Sequence, residues 1–182
     1  METKLNKISN DTNYDSPLGV GGLQIILNPI GIIRTPHTDV KNMPIQPIAA
    51  EGICGTIELL PEYAAGLKDI EGFSHLTLIY RFHKIEGYEL EVVPFMDIET
   101  HGIFSTKAPK RPNAIGISTV KLIGVEGNVL HIEQVDMLDG TPLIDIKPFY
   151  PRYDNRFDVK IGWLEKNKDL PLEKLRSDER FK

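Results

Sequence analysis

The stretch "KAPKRPN", Lys107 to Asn113, sets three cations, two prolines and an asparagine within seven residues, just before an apolar alternating run that begins at Ile115. Pro109 and Pro112 fix φ and push Ala108 and Arg111 toward extended backbone, which makes the loop stiff. Lys107, Lys110 and Arg111 on such a scaffold lose little entropy on closing over an anion, and Asn113 offers both donor and acceptor. This chemistry suits a carboxylate or a phosphate. On composition alone, a solvated turn whose cations face water is the leading alternative.

A second cluster is "LDGTPLIDIKPFYP", Leu138 to Pro151. Its Asp-Gly-Thr-Pro start reads as a turn in which Asp139 bonds nearby amides. Asp139, Asp145 and Lys147 also surround an apolar strand ending in Pro148, Phe149 and Tyr150, and carboxylates beside aromatics suit a ligand that carries positive charge. In "GFSHLTLIYRFHK", Gly72 to Lys84, strand alternation puts His75, Thr77, Ile79, Arg81 and His83 on one face. Leu76, Leu78, Tyr80 and Phe82 fall on the other, apolar face. By residue type alone His75 and His83 read as structural or surface histidines. No His/Cys/Asp set has zinc-ligand spacing, and no metal site is expected. Neither G-x-G-x-x-G after a strand, nor a P-loop, nor G-x-S-x-G occurs, which removes the common nucleotide-binding and hydrolase readings.

These clusters need short strands to hold them. Strand-like segments bounded by turn signals run over Gly52–Leu60, Ser74–Phe82, Leu90–Phe95, Ile115–Leu122, Val129–Val135 and Leu143–Ile146. "LQIILNPIGIIRTP" adds two β-branched runs broken at Asn28-Pro29. Pro61 to Gly72 reads as one short helix with proline in its first turn, and Glu126 to Asn128 as a tight hairpin turn. Long helices alternating with strands are missing, so the expected fold is mainly β, a compact barrel or sandwich with one or two short helices. The polar residues 1–22 read as a flexible tail. Leucines 170, 172 and 175 suggest a short terminal helix.

At 182 residues and 41% hydrophobic content, the chain fits one globular domain. A formal charge of -5 supplies no global field toward nucleic acid, so any RNA contact is local. Cys54, the single cysteine, cannot form an internal disulfide, and its apolar, glycine-flanked setting reads as a buried, inert thiol in a reducing cytoplasm. No apolar run approaches the roughly 18 residues that span a membrane, and the start of the chain is too polar for a signal peptide, so a soluble cytoplasmic protein is expected.

Taken together and in order, "GFSHLTLIYRFHK", "HGIFSTKAPKRPNAIGIS" and "LDGTPLIDIKPFYP" resemble the TsaA-like, or TrmO, family of S-adenosylmethionine-dependent tRNA methyltransferases, from about Pro29 to Pro151. The resemblance implies a TsaA-like β-barrel domain over 23–163 with a C-terminal extension, 164–182. It also implies a homodimer with S-adenosyl-L-methionine near the subunit interface, and methyl transfer to N6 of threonylcarbamoyladenosine beside the tRNA anticodon. Carried over by position, cofactor contacts fall on Pro44, Gln46, His83, Lys84, Lys107, Thr119, Leu138, Asp139, Gly140 and Thr141. Asp139 and His83 become the candidate bases, while Lys110, Arg111, Asn113 and Lys147 are candidates for anionic parts of the substrate.

The chain departs from the family pattern at Ile45 and Lys107, where arginine is frequent, and at Ala114, where proline is. Lysine keeps the charge but loses the planar bidentate fork. Longer bacterial members carry a further C-terminal domain associated with tRNA, in place of which a short stretch follows Pro151. Two other classes share these motifs: a dimeric S-adenosylmethionine-binding module that methylates nothing, and a methyltransferase for another substrate.

Overall fold

In the computed structural model, residues 25–171 and 175–181 are described. The expected tail over 1–22 and Leu172 lie outside them. Six antiparallel strands close into a barrel: β1 (Gly31–Arg34), β2 (Cys54–Leu59), β3 (His75–Arg81), β6 (Ile115–Glu126), β7 (Val129–Glu133) and β8 (Thr141–Pro148), in the spatial order β1-β2-β7-β6-β3-β8. A separate two-stranded sheet pairs β4 (Glu91–Val92) with β5 (His101–Gly102). The barrel alternative of the sequence reading is therefore the one found. Closure leaves the main sheet without a free edge.

Alternation decides which side chains fill the barrel. Leu76, Leu78 and Tyr80 of β3 point inward with Ile57 and Leu59 of β2 and Leu130 and Ile132 of β7, as the apolar face of "HLTLIYR" requires. Gly127, at φ 63°, makes the tight turn between β6 and β7, and Asn128 Nδ2 donates to Leu59 O at 2.5 Å. Strand order and inward side chains thus follow from period-two patterning and turn chemistry. A second, smaller apolar cluster gathers Val92, Ile103, Ala108 and Phe181 against Phe95, beside the barrel.

Four local expectations change. Cys54 is exposed, because the alternation that buries Ile57 and Leu59 turns Cys54 and Glu58 outward. Leu90–Phe95 contributes only the two-residue β4, after which Pro94 removes a ladder donor. Pro61–Gly72 forms two 3₁₀ turns, Pro61–Leu67 and Ile70–Gly72, with Asp69 left-handed between them. No helix spans the described C-terminal residues after Leu170; a 3₁₀ turn at Gly162–Asn167 precedes them, and Arg176 bridges to Pro44. The only α-helix among the described residues is α1 (Pro151–Asp154). No helix of the described residues is long and apolar enough to cross a membrane.

Candidate functional site

The cationic loop leaves β5 through a 3₁₀ turn, Ile103–Ser105, and runs to the start of β6. Its three cations have different fates. Arg111 donates to Ile103 O at 3.1 Å and Thr106 O at 2.9 Å and lies 5.9 Å from the Phe104 ring centroid, so it ties the loop to itself. Lys110 pairs with Glu89 at 2.7 Å. Lys107 reaches across to Gln46 Oε1 at 3.2 Å, joining the loop to the Pro44–Gln46 segment, in which Pro44 is buried. The Asn113 side chain is exposed, and its backbone carbonyl accepts from Ile115 N–H at 2.7 Å.

The Leu138–Thr141 turn is anchored to the end of β1. Asp139 accepts from Thr35 N–H at 3.1 Å and lies 3.9 Å from Arg34, while its own N–H donates to His37 O at 2.7 Å. Gly140 sits at φ 74°, a conformation that favours glycine. Nothing stands within 4 Å of where its Cβ would be, which leaves this backbone open to a ligand.

Thr141 connects the turn to His83. The Thr141 hydroxyl donates its one proton to Leu138 O at 2.7 Å, so toward His83 Nδ1, 3.4 Å away, it can only accept. That places the imidazole proton on Nδ1 and leaves the Nε2 lone pair available. Burial lowers the His83 pKa from its usual value, helped by Lys84 and Arg81 and opposed by Asp139. Near neutrality the ring is therefore an uncharged acceptor.

Beneath these groups lies a network that the sequence reading missed. Ser118 donates to Asp136 Oδ1 at 2.7 Å, and the Tyr80 hydroxyl lies 3.0 Å from Ser118 Oγ. Because the single Ser118 proton goes to Asp136, Tyr80 is the donor to Ser118. Burial pushes the Asp136 carboxyl up to about 6, against the lowering effects of the Ser118 bond and the Lys107 charge. Burial, together with the Asp136 charge, also pushes the Tyr80 phenol up and keeps it protonated. Two signals in the sequence point here: a serine at an inward position of β6, and an acidic residue between the buried Val135 and Met137. Asp136, which feels the Lys107 charge, belongs to the segment that continues into the Leu138–Thr141 turn. Residues 136–141 thus carry both the carboxylate that feels the Lys107 charge and the Thr141 hydroxyl beside His83.

Thr119 and Lys147 lie elsewhere. Thr77 pairs with Thr119 on one side and with Lys147 on the other, forming one row across β6, β3 and β8. The Thr77 and Thr119 hydroxyls are 3.2 Å apart, and Lys147 pairs with Asp145 at 2.7 Å. His83 follows the C-terminal end of β3, whereas Thr77 lies toward its start, so this row stands apart from His83 within one chain. Outside both, Asp97, Glu99 and His101 bring ligand-type atoms within 4.8 Å of one another. The Lys166 ammonium already bonds Asp97 at 2.8 Å and Glu99 at 3.0 Å, which makes this an ion-pair cluster.

The described donor set matches the chemistry of S-adenosylmethionine. Lys107 and the exposed Lys84 are cations of the kind that could hold a carboxylate, and the Asp139 carboxylate, bonded by Thr35 N–H, stands next to the uncovered Gly140 backbone.

Residues 32–155 match the family model of the tRNA-methyltransferase O N-terminal domain. A probable S-adenosyl-L-methionine-binding protein of Pyrococcus abyssi is 55% identical over 159 residues, 87% of this chain and 86% of that protein. A tRNA (adenine(37)-N6)-methyltransferase of Mus musculus is 43% identical over 146 residues, 75% of this chain and 33% of that protein. The crystal structure of TrmO from Pseudomonas aeruginosa aligns with a TM-score of 0.66 at 36% identity, covering 78% of this chain; this chain spans 63% of that one. With the barrel and its loops matched in both sequence and three dimensions, the chain belongs to the tRNA-methyltransferase O N-terminal domain family.

Proposed function

We propose that this protein is an S-adenosylmethionine-dependent methyltransferase that acts on N6 of threonylcarbamoyladenosine beside the tRNA anticodon. The observations that carry this reading are the Gln46–Lys107 contact, the Lys107 charge acting on Asp136, and the His83–Thr141 contact beside the open Gly140 turn, in a chain of this family. The name of the mouse relative, an adenine(37)-N6-methyltransferase, supports tRNA as substrate.

S-adenosylmethionine, when bound, supplies an electrophilic methyl group. The chain supplies position and a proton acceptor. Lys107 and Gln46 hold polar and anionic groups from one wall, while the Asp139 turn presents carbonyls and a carboxylate from the other. N6 of a carbamoylated adenosine shares its lone pair with the purine ring and the carbonyl, so removing its proton raises its reactivity. His83 Nε2, unprotonated because Nδ1 carries the hydrogen, is the acceptor best prepared for that step, and general-base help of this kind contributes ~10²-fold or more. Asp139 is already engaged by Thr35 and Arg34, which suits it to holding the turn.

Thr119 and Lys147 fit this reading through a homodimer. Since their row lies away from the pocket of their own chain, they contribute to a pocket by facing that of a second copy.

Incubating the protein with threonylcarbamoylated tRNA and S-adenosylmethionine, followed by mass spectrometry of the nucleosides, tests the reaction. A threonylcarbamoyladenosine heavier by one methyl group is the expected product. Cofactor binding in calorimetry without any methylated nucleoside would support a cofactor-binding module instead, the reading favoured by the name of the Pyrococcus relative.

A further inference from the structure

Ser177 and Phe181 have no part in the chemistry above, yet the segment that carries them touches both walls of the pocket. On one side it runs beside residues 42–45. Asn42 N–H donates to Ser177 O at 2.8 Å, Ser177 N–H to Met43 O at 2.8 Å and Ile45 N–H to Leu175 O at 3.2 Å. Ser177 Oγ also accepts from Met43 N–H at 2.9 Å and donates to Val40 O. Arg176 adds a bond to Ala49 O at 3.0 Å.

On the other side Phe181, only 6% exposed, packs edge-to-face on Phe95 with ring centroids 5.0 Å apart, in the cluster that contains Ile103 and Ala108. Those two residues bracket Lys107. Arg180 fastens this end by donating to Pro94 O at 2.7 Å. Gln46 and Lys107, which meet at 3.2 Å, therefore stand on segments that residues 175–181 hold in place. On the Pro44 side, Asn42 and Ile45 both send their backbone N–H groups to the strap.

We propose that this C-terminal strap positions the cofactor pocket, Ser177 setting the Gln46 wall and Phe181 the Lys107 loop, so that strap docking and cofactor binding strengthen each other. The inference rests on the cofactor reading above. Reciprocity is required by linkage: if docking the strap raises cofactor affinity, bound cofactor holds the strap by the same factor. Ser177 and Phe181 act through Gln46 and Lys107 and are positioning residues.

The test uses the full chain with Ser177→Ala and Phe181→Ala, titrated with S-adenosylmethionine in a calorimeter and followed by backbone hydrogen exchange. Each variant should bind about tenfold more weakly, within the usual range of coupling between sites. KM for S-adenosylmethionine should rise with kcat retained, and Ser177→Thr and Phe181→Leu should recover affinity. In the wild-type chain the cofactor should slow exchange at the Asn42, Ile45 and Ser177 amides. Wild-type affinity in both alanine variants, or no change in exchange at those three amides on adding cofactor that calorimetry shows to bind, overturns the proposal. Should Phe181→Ala not fold, Ser177→Ala carries the test alone. Absence of any binding by the wild-type chain refutes the cofactor reading, and ligand-free exchange then decides: unchanged rates at Thr106 and Ala108 in Phe181→Ala and at Ile45 in Ser177→Ala overturn the strap.

Discussion

His83 gains its role from a proton that Thr141 cannot give. Because that hydroxyl is committed to Leu138 O, the imidazole is held as the Nδ1–H tautomer, and burial with its cationic neighbours keeps the ring neutral. The His83 pKa is lowered from 6.5, so the group is already unprotonated at neutral pH, and as the proposed base it would lose activity only as acid protonates it. Single-turnover methylation should be flat above pH 7 and fall on a limb below 6.5. Asp136 titrates nearby at about 6, so the limb must be assigned. A limb that persists in Asp136→Asn belongs to His83, while one that disappears there assigns the dependence to Asp136. His83→Gln should lose ~10²-fold in rate with little change in cofactor affinity, the size expected for a general base. Unchanged turnover in that variant rules the base out.

Among the elements, β3 and β6 do the most to shape the floor of the site. Tyr80 pairs with Gly116, and a Cβ at Gly116 would stand 2.3 Å from the Tyr80 ring and 2.9 Å from that of Phe82. The missing side chain lets Tyr80 lie across β6 and reach Ser118. Gly116→Ala should displace the ring, break the Tyr80–Ser118–Asp136 chain and lower stability by about 1–3 kcal/mol, as overpacking does; denaturant unfolding checks this, and an unchanged midpoint refutes it. The strands were legible in the sequence because their periods are local: "HLTLIYR" announces its buried face. The short helical segment was not, since Pro61–Gly72 satisfies helix rules yet lacks an apolar stripe long enough to hold an α-helix, and settles into 3₁₀ turns. Cys54 was misread for a related reason. A single residue at a strand start carries no alternation of its own, and its face is fixed by Ile57 and Leu59 further along.

For the whole molecule, the position of Thr119 and Lys147 leads to an assembly prediction. If both serve a pocket, two chains must meet along the Thr119–Thr77–Lys147 row. Light scattering should report a dimer. Mixing an inactive Lys107→Ala chain with an inactive Thr119→Trp chain should restore about a quarter of the wild-type activity, because half the dimers are mixed and each of those holds one intact pocket. No recovery on mixing refutes shared pockets. The candidate cofactor contacts come from the family resemblance, but their division between two places on the barrel is not legible in the sequence. That division follows from strand register, which links residues far apart in the chain. Asp136, in the connection after β7, is illegible for the same reason: it bonds Ser118 of β6, which in turn meets Tyr80 of β3.

The bonds between Ser177 and Met43 span 134 positions of sequence, and Phe181 lies still later in the chain. During synthesis, made from the N-terminus onward, β2, β3, β6 and β7 can pair well before that stretch exists, whereas residues 42–45 wait for their backbone partners until residues 175–177 have been made. The nascent chain is therefore a barrel in the making whose 42–45 segment meets its partners late, after the strands that enclose the core.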